Sequence, residues 1–341
     1  MTAPTSDTQP RSAHGDRRRV FSGVQPSGVP HVGNHLGAFA NYIAMQDDYD
    51  AIYCIVDYHA LTSTHDAEII RESTTEMALG LLALGLEPEK ATLFRQSDRN
   101  EHVELMWLLA SVTPVPWVER TPSFKDKKRS QPDDINLALL SYPVLQTADI
   151  AIYKASYVPV GKDQAAHLEL AREIVRAFNS RYGDVFPEPQ AVFSDAPIVK
   201  GTDGQFKMSK SLGNVIEIFA DEDVIRKQIM SMVTDTQRIK RTDPGRPEVC
   251  NVCQLHRIFS PDDYEEIWDG ERTARTGCVD TKRLLADRLL DRFGDARERY
   301  HDLKVRPGYV EEVLRAGAER LAPQAAETLA ECHERMGLGT R

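Results

Sequence analysis

From Val20 onward, short apolar runs alternate with longer segments in which apolar residues return every three or four positions. Short runs rich in β-branched and aromatic side chains read as buried strands, and the 3.6-residue period reads as amphipathic helix. The pattern predicts strands near Arg19 to Gly23, Ala51 to Asp57, Thr92 to Gln96 and Gln190 to Phe193. Helices fall between them, among them Gly33 to Asp47, His102 to Val112 and Ala165 to Ser180. Strand and helix in alternation imply a parallel sheet covered on both faces, an α/β fold whose ligands sit at the carboxyl ends of its strands. Beyond about residue 215 the strand signals stop. Leu285, Leu289, Phe293, Ala296 and Tyr300 are spaced to line one helix face, so an α-helical C-terminal domain is expected there, with Thr242 to Pro247 as a loop inside it. The expected organisation is a disordered tail over residues 1–19, a catalytic α/β domain over 20–215 and a helical domain over 216–341.

Composition narrows the class of protein. At 341 residues, 41% hydrophobic and 28% charged, the chain can bury a full core as one large unit with a smaller one appended. No apolar run approaches the ~18 residues of a membrane span, and the first 19 residues, rich in Ser, Thr, Pro and Arg, lack the apolar centre of a signal peptide. A cytoplasmic protein with no membrane partner is expected. Five cysteines, an odd and scattered set, argue for reduced thiols rather than a disulfide framework. The net charge of -10 opposes generic nucleic-acid affinity and confines any RNA contact to local basic patches. Two exist: Arg120, Lys125, Lys127, Lys128 and Arg129, and then Arg238, Lys240, Arg241 and Arg246, each also readable as a solvated face.

Three segments carry chemistry. The first strand runs into Ser22-Gly23-Val24-Gln25-Pro26-Ser27-Gly28-Val29-Pro30-His31-Val32-Gly33-Asn34, a Gly/Pro-rich loop that opens a helix. Free N–H groups and the helix dipole favour an anion there, although such a loop can also be a plain turn. Lys207-Met208-Ser209-Lys210-Ser211 sets two lysines three apart with interleaved serines, cations and hydroxyls able to follow a departing pyrophosphate. Tyr142, Gln146, Asp149 and Tyr153 recur at i, i+4, i+7 and i+11 along an otherwise apolar helix and share one face. That polar stripe serves either a ligand pocket or a buried hydrogen-bond network.

The first two segments resemble the HIGH-type and KMSKS signatures of class I aminoacyl-tRNA synthetases, with Asn34 in place of the second histidine. Gly-x-Gln-Pro-Ser-Gly before His31-Val32-Gly33-Asn34 is similar to the tryptophanyl-tRNA synthetases of bacterial type in particular, and the likeness covers about residues 20 to 335. It implies a Rossmann-type catalytic domain, a helical domain that reads the tRNA anticodon, and a homodimer. It implies that Gln25, Pro26, Ser27, Gly33, Asn34, Met208, Ser209 and Ser211 contact ATP, and that Asp149 accepts the indole N–H, with Tyr142, Gln146 and Gln164 beside the amino acid. Val158-Pro159-Val160-Gly161-Lys162-Asp163-Gln164 resembles a family run in which Gly161, Lys162 and Asp163 border adenosine; Lys162 replaces the usual Glu, and Ile198 packs by the adenine. Phe124-Lys125-Asp126-Lys127 resembles a segment whose lysine, here Lys127, reaches the triphosphate. In Cys54-Ile55-Val56-Asp57-Tyr58-His59, His59 reads as structural, since a carboxylate nucleophile needs no general base.

The implied reaction has the tryptophan carboxylate attack the α-phosphate of ATP, with Lys207, Lys210, Lys127 and Mg²⁺ stabilising the pyrophosphate, after which tRNA(Trp) takes the amino acid. Some relatives carry a four-cysteine iron–sulfur site in the helical domain; Cys250 and Cys278 match it but Glu271 and Thr281 stand in the other places, so no metal site is expected. Tyrosine activation is the nearest alternative, because the tyrosyl relatives also carry an Asp in this region. A synthetase-like binding protein without catalysis is the alternative from another class.

Overall fold

A computed structural model of the chain describes residues 17–122, 124–125, 135–161, 164–193 and 199–339. Strands β1 (Arg19–Val24), β2 (Asp50–Ile55), β3 (Ala91–Arg95), β4 (Tyr157–Val160) and β5 (Gln190–Phe193) form one parallel sheet in the order β3-β2-β1-β4-β5. β2 is buried along its whole length, as a central strand with both faces covered must be. The pleat divides its residues between two cores. Ala51, Tyr53 and Ile55 join Met77, Leu81 and Leu93 on one face, while Ile52 and Cys54 join Leu105, Leu109 and Tyr153 on the other.

Four strands lie within two residues of the expected bounds, whereas β4 was not foreseen as a strand. Its sequence, Tyr-Val-Pro-Val, contains a proline that cannot donate to a ladder and so hides the strand from pattern reading. Pro159 nonetheless stands opposite Val192 of β5, and its carbonyl accepts from the Ser22 hydroxyl at 3.3 Å. The expected first helix begins at Val32 and holds one π turn, His35–Phe39, before continuing as Ala40–Met45. The helices Glu101–Ala110, Leu137–Ala151 and Ala165–Tyr182 complete the cover on the second core.

After residue 215 the main elements are helices, Glu222–Met230, Asn251–Phe259, Tyr264–Arg272, Cys278–Lys304 and Tyr309–Met336, with 231–250 a turn-rich loop between the first two. The five apolar residues expected on one face, Leu285 to Tyr300, are all buried in the helix Cys278–Lys304 and fuse with the first core. The positions matched to the iron–sulfur pattern are otherwise occupied. Glu271 takes the Thr281 hydroxyl on one carboxylate oxygen and pairs with the buried Arg238 through the other, and Arg238 also reaches the Cys278 sulfur at 3.8 Å. A buried ion pair with its remaining groups hydrogen-bonded therefore fills this part of the helical region.

The last helix, Tyr309–Met336, returns to the sheet and packs on β3. Gly317 makes that approach possible, because a Cβ built there would lie 2.0 Å from the Leu93 carbonyl oxygen. Gly to Ala in an exposed helix stabilises by ~1 kcal/mol. Gly317→Ala is expected to do the reverse and cost about 1–3 kcal/mol through overpacking. Urea unfolding reads the difference, and a raised midpoint would reject the close contact as a constraint.

Candidate active site

The nucleotide side is built at the carboxyl end of β1. Gln25 and Ser27 are exposed in the loop and Pro26 half-buried. Gly28 takes a left-handed φ of +83°, and a Cβ there would fall 2.8 Å from the Lys210 Nζ. His31 and Asn34 then close the helix start reciprocally: the Asn34 N–H donates to His31 Nδ1 at 3.3 Å, and the His31 N–H donates to Asn34 Oδ1 at 3.0 Å. This arrangement fixes the chemistry of both side chains. The His31 ring accepts at Nδ1, so a neutral ring carries its proton on Nε2. Asn34, its oxygen already used, has its NH₂ left as a donor.

The second lysine loop is docked on this turn. Met208 is buried, and its sulfur accepts from the Gly33 N–H at 3.3 Å and the Ile216 N–H at 3.4 Å. The Val32 N–H donates to the Ile216 carbonyl at 2.9 Å. Asn214 shapes the loop from inside, its Oδ1 accepting from the Ser209 N–H at 2.7 Å and its Nδ2 donating to Asp203 Oδ2 at 2.6 Å. The Ser209 and Ser211 hydroxyls bond each other at 2.9 Å. Lys207 is exposed and Lys210 half-buried, and burial lowers the Lys210 ammonium from its ordinary value while Glu217 and Glu76 oppose the shift. Lys210 thus stands beside Gly28 and Met208 beside Gly33, so the lysine loop brings cationic and hydroxyl donors, of the kind suited to phosphate oxygens, to the turn that opens the first helix.

The second half-site centres on Asp149, which is 1% exposed near the end of the helix Leu137–Ala151. A bare carboxylate at such depth is costly, and three side chains compensate it. His59 Nε2 lies 2.9 Å from Oδ2, while Gln96 Nε2 and His102 Nδ1 each lie 2.7 Å from Oδ1. Burial opposes the charge, but the bonds from His102 and His59 prevail and hold the carboxyl down to about 2. Tyr153, one turn beyond, bonds His102 Nε2 through its hydroxyl at 2.7 Å, and Tyr142 bonds His167 Nε2 at 2.6 Å. The His59 and Tyr142 rings meet edge to face at 6.2 Å. The shared face of the helix therefore carries a hydrogen-bond network, with Gln146 half-buried on it.

Gly161 and Gln164 follow β4 and are half-buried, the Gln164 N–H donating to the Gly161 carbonyl at 3.0 Å. Lys127, Lys162, Asp163 and Ile198 lie outside the described residues. Gln96 and His102 escaped sequence reasoning. A single Gln after a strand and a single His on an apolar helix carry no spacing signal, and each reaches Asp149 across 47 to 53 residues of chain. Of the second basic patch, Arg238 is paired with Glu271, Arg246 with Asp235 and Arg241 with Asp280, so its free charge is smaller than the sequence suggests. Among the described residues no group of three His, Cys, Asp or Glu side chains is placed to hold a metal ion.

The family model for tRNA synthetases class I (W and Y) matches residues 13–294. The tryptophan–tRNA ligase of Deinococcus radiodurans is 42% identical over 325 residues, covering 94% of this chain and 98% of that protein. That of Thermotoga maritima is 40% identical over 326 residues, covering 94% and 99%. Among solved structures, the tryptophanyl-tRNA synthetase of Campylobacter jejuni complexed with ADP and tryptophan has a TM-score of 0.86 at 36% identity, covering 94% of this chain and 100% of that one.

Two buried histidines make the nucleotide side acid-sensitive. Burial lowers His31 and His35 to about 4, with Lys210 and Lys207 adding to the effect at His31 and Arg292 at His35. The unfolded chain takes up these protons near pH 6.5, whereas the folded chain resists until about 4. Between those values the unfolded state binds more protons, so stability falls as pH falls through the window. Urea midpoints at pH 7 and pH 5 are expected to differ in that sense, and His35→Gln should shrink the difference. An unchanged slope in that variant would remove His35 as a contributor.

Proposed function

The chain belongs to the class I tRNA synthetases of the tryptophan and tyrosine family, and we infer that it ligates L-tryptophan to tRNA(Trp) at the expense of ATP. The near-full-length likeness to tryptophan–tRNA ligases carries the amino-acid assignment. Asp149 gives it a physical form. A buried carboxylate held ionised accepts one N–H from an aromatic side chain and disfavours phenylalanine, which would leave it unpaired.

In the reaction we propose, the tryptophan carboxylate attacks the α-phosphate of ATP, the bond to the β-phosphate oxygen breaks, and pyrophosphate leaves with the electron pair. The terminal hydroxyl of tRNA(Trp) then attacks the carbonyl of the adenylate and releases AMP. Catalysis is placement and charge rather than covalent assistance. Asn34 and Gln25 orient phosphate oxygens, and Lys210, Lys207 and Lys127 stabilise the departing pyrophosphate. Pro26, Ser27, Gly33, Met208, Ser209 and Ser211 frame the nucleotide, and Gly161, Lys162, Asp163 and Ile198 border its adenosine. Tyr142, Gln146 and Gln164 line the amino-acid side. Mg²⁺ supplies charge on the triphosphate. The lysines, amides and hydroxyls of these loops, with no metal-holding cluster among the described residues, fit an ion held by phosphate and water rather than a protein cage.

On family grounds we also propose that residues 20–215 are the catalytic domain and that 216–341 recognise the anticodon, in a cytoplasmic homodimer. No described helix is long and apolar enough to cross a membrane.

ATP–pyrophosphate exchange with each of the twenty amino acids is expected to proceed with tryptophan alone and to be lost in Asp149→Ala. Exchange supported by tyrosine would transfer the chain to the other branch of the family. Lys210→Ala should lower kcat by about 10²–10³ with the tryptophan KM little changed, and a raised KM for ATP with kcat unchanged would make Lys210 a binding rather than a transition-state residue.

A further inference from the structure

We propose that Gln96 and His102 are specificity-determining positioning residues: by occupying Asp149 Oδ1 they leave a single acceptor position, on Oδ2 beside His59, for the N–H of the substrate ring. The inference rests on the assignment of Asp149 as the substrate's acceptor and deepens it.

The geometry follows from donor and acceptor counting. An ionised Asp offers about four lone-pair positions, two on each oxygen. Gln96 Nε2 and His102 Nδ1 both point at Oδ1, at 2.7 Å each, and saturate it. His59 Nε2 takes one position on Oδ2 at 2.9 Å. Among the described residues one position remains.

Each positioning group is itself held in one orientation. The Tyr58 N–H donates to Gln96 Oε1 at 3.2 Å, which identifies the oxygen end of the amide and forces its NH₂ toward Asp149. His102 is 0% exposed; its Nδ1 faces a carboxylate and must carry hydrogen, and its Nε2 accepts from the Tyr153 hydroxyl at 2.7 Å. A ring turned over would set the Cδ2 carbon against the carboxylate in place of Nδ1, and the other tautomer would set an unprotonated nitrogen there; neither donates a hydrogen bond to it. Asp149 consequently can neither rotate to offer Oδ1 nor present both oxygens to a substrate. The pocket reads one N–H at one place.

The test uses the full-length protein, tRNA-independent exchange and a substrate pair that differs only at the recognised atom. 3-Benzothienylalanine carries sulfur where tryptophan carries the indole N–H. The ratio of kcat/KM for tryptophan over this analogue isolates the hydrogen bond, since loss of fold or of active fraction lowers both values together. His102→Phe and Gln96→Leu are each expected to reduce that ratio about tenfold or more, because a bond to a charged group is lost and the carboxylate is free to turn. The KM for ATP should stay within about twofold. His102→Asn, whose amide can still donate to Oδ1, should restore most of the ratio.

A wild-type ratio in His102→Phe and Gln96→Leu, with the ratio collapsed in Asp149→Ala, would overturn the positioning role while leaving Asp149 as the acceptor. A wild-type ratio in Asp149→Ala would overturn the acceptor assignment and the inference together. An Asn variant as poor as the Phe variant would also reject the donor role of His102.

Discussion

A buried charge is the constraint around which the candidate amino-acid side of this molecule is arranged. Asp149 is sealed at the end of an apolar helix, and an uncompensated carboxylate there would cost several kcal/mol. Its compensation is drawn from three elements that are remote in sequence. His59 comes from the turn after β2, Gln96 from the turn after β3 and His102 from the helix that follows. Because each donor is fixed by its own element, the carboxylate locates the ends of two strands and two helices relative to one another. The same bonds that make burial tolerable determine which acceptor position remains for a ligand. In the proposed reading stability and selectivity rest on one set of contacts, and a substitution in that set is expected to disturb both.

The nucleotide side follows a different principle. Here the groups are half-exposed, their partners are backbone amides, and the ordering contacts are local or cross a single junction. Met208 is the junction: one thioether sulfur takes N–H bonds from Gly33, in the first turn, and from Ile216, after the lysine loop. Sulfur is a weak and soft acceptor. Two such bonds hold the loops together without a strong ion pair, so the lysine ammonium groups are not spent on carboxylate partners within the loop. Glu217 and Glu76 influence Lys210 only through space. Among the described residues neither Lys207 nor Lys210 forms a salt bridge, and in the proposed reading a phosphate chain is their partner.

This contrast explains what could be read from the chain. The proposed phosphate loops require residues with special backbone freedom or charge in fixed order, and Gly28, Gly33, Lys207 and Lys210 are visible for that reason. The alternating pattern gave four of five strands, and β4 was hidden by Pro159, a residue that pattern rules exclude from ladders. The helical face Leu285 to Tyr300 was legible because a helix interface must repeat with the helix. Gln96 and His102 have no such grammar. Their role exists only once β3 and the helix Glu101–Ala110 stand beside the helix Leu137–Ala151, and no local property of either residue encodes that meeting. Arg238 shows the converse: one of a run of basic residues in sequence, it proves to be buried on Glu271 in the fold.

The sheet order brings the two principles to one place. Reading β3-β2-β1-β4-β5, the chain moves outward from β1 in one direction through β2 and β3, then returns to the other side of β1 for β4 and β5. The connections on either side of β1 therefore leave in opposite directions and open a crevice at its carboxyl end. The Gln25 to Pro30 loop enters that crevice from β1, Gly161 and Gln164 from β4, and the donors to Asp149 from the ends of β2 and β3. A nucleotide lying on the first helix and an aromatic amino acid lying toward Asp149 would meet over β1, where the carboxylate of one faces the α-phosphate of the other. Joining the two requires only that both be held at once, because neither reactant needs a protein nucleophile. The topology of the sheet, more than any single side chain, supplies that proximity.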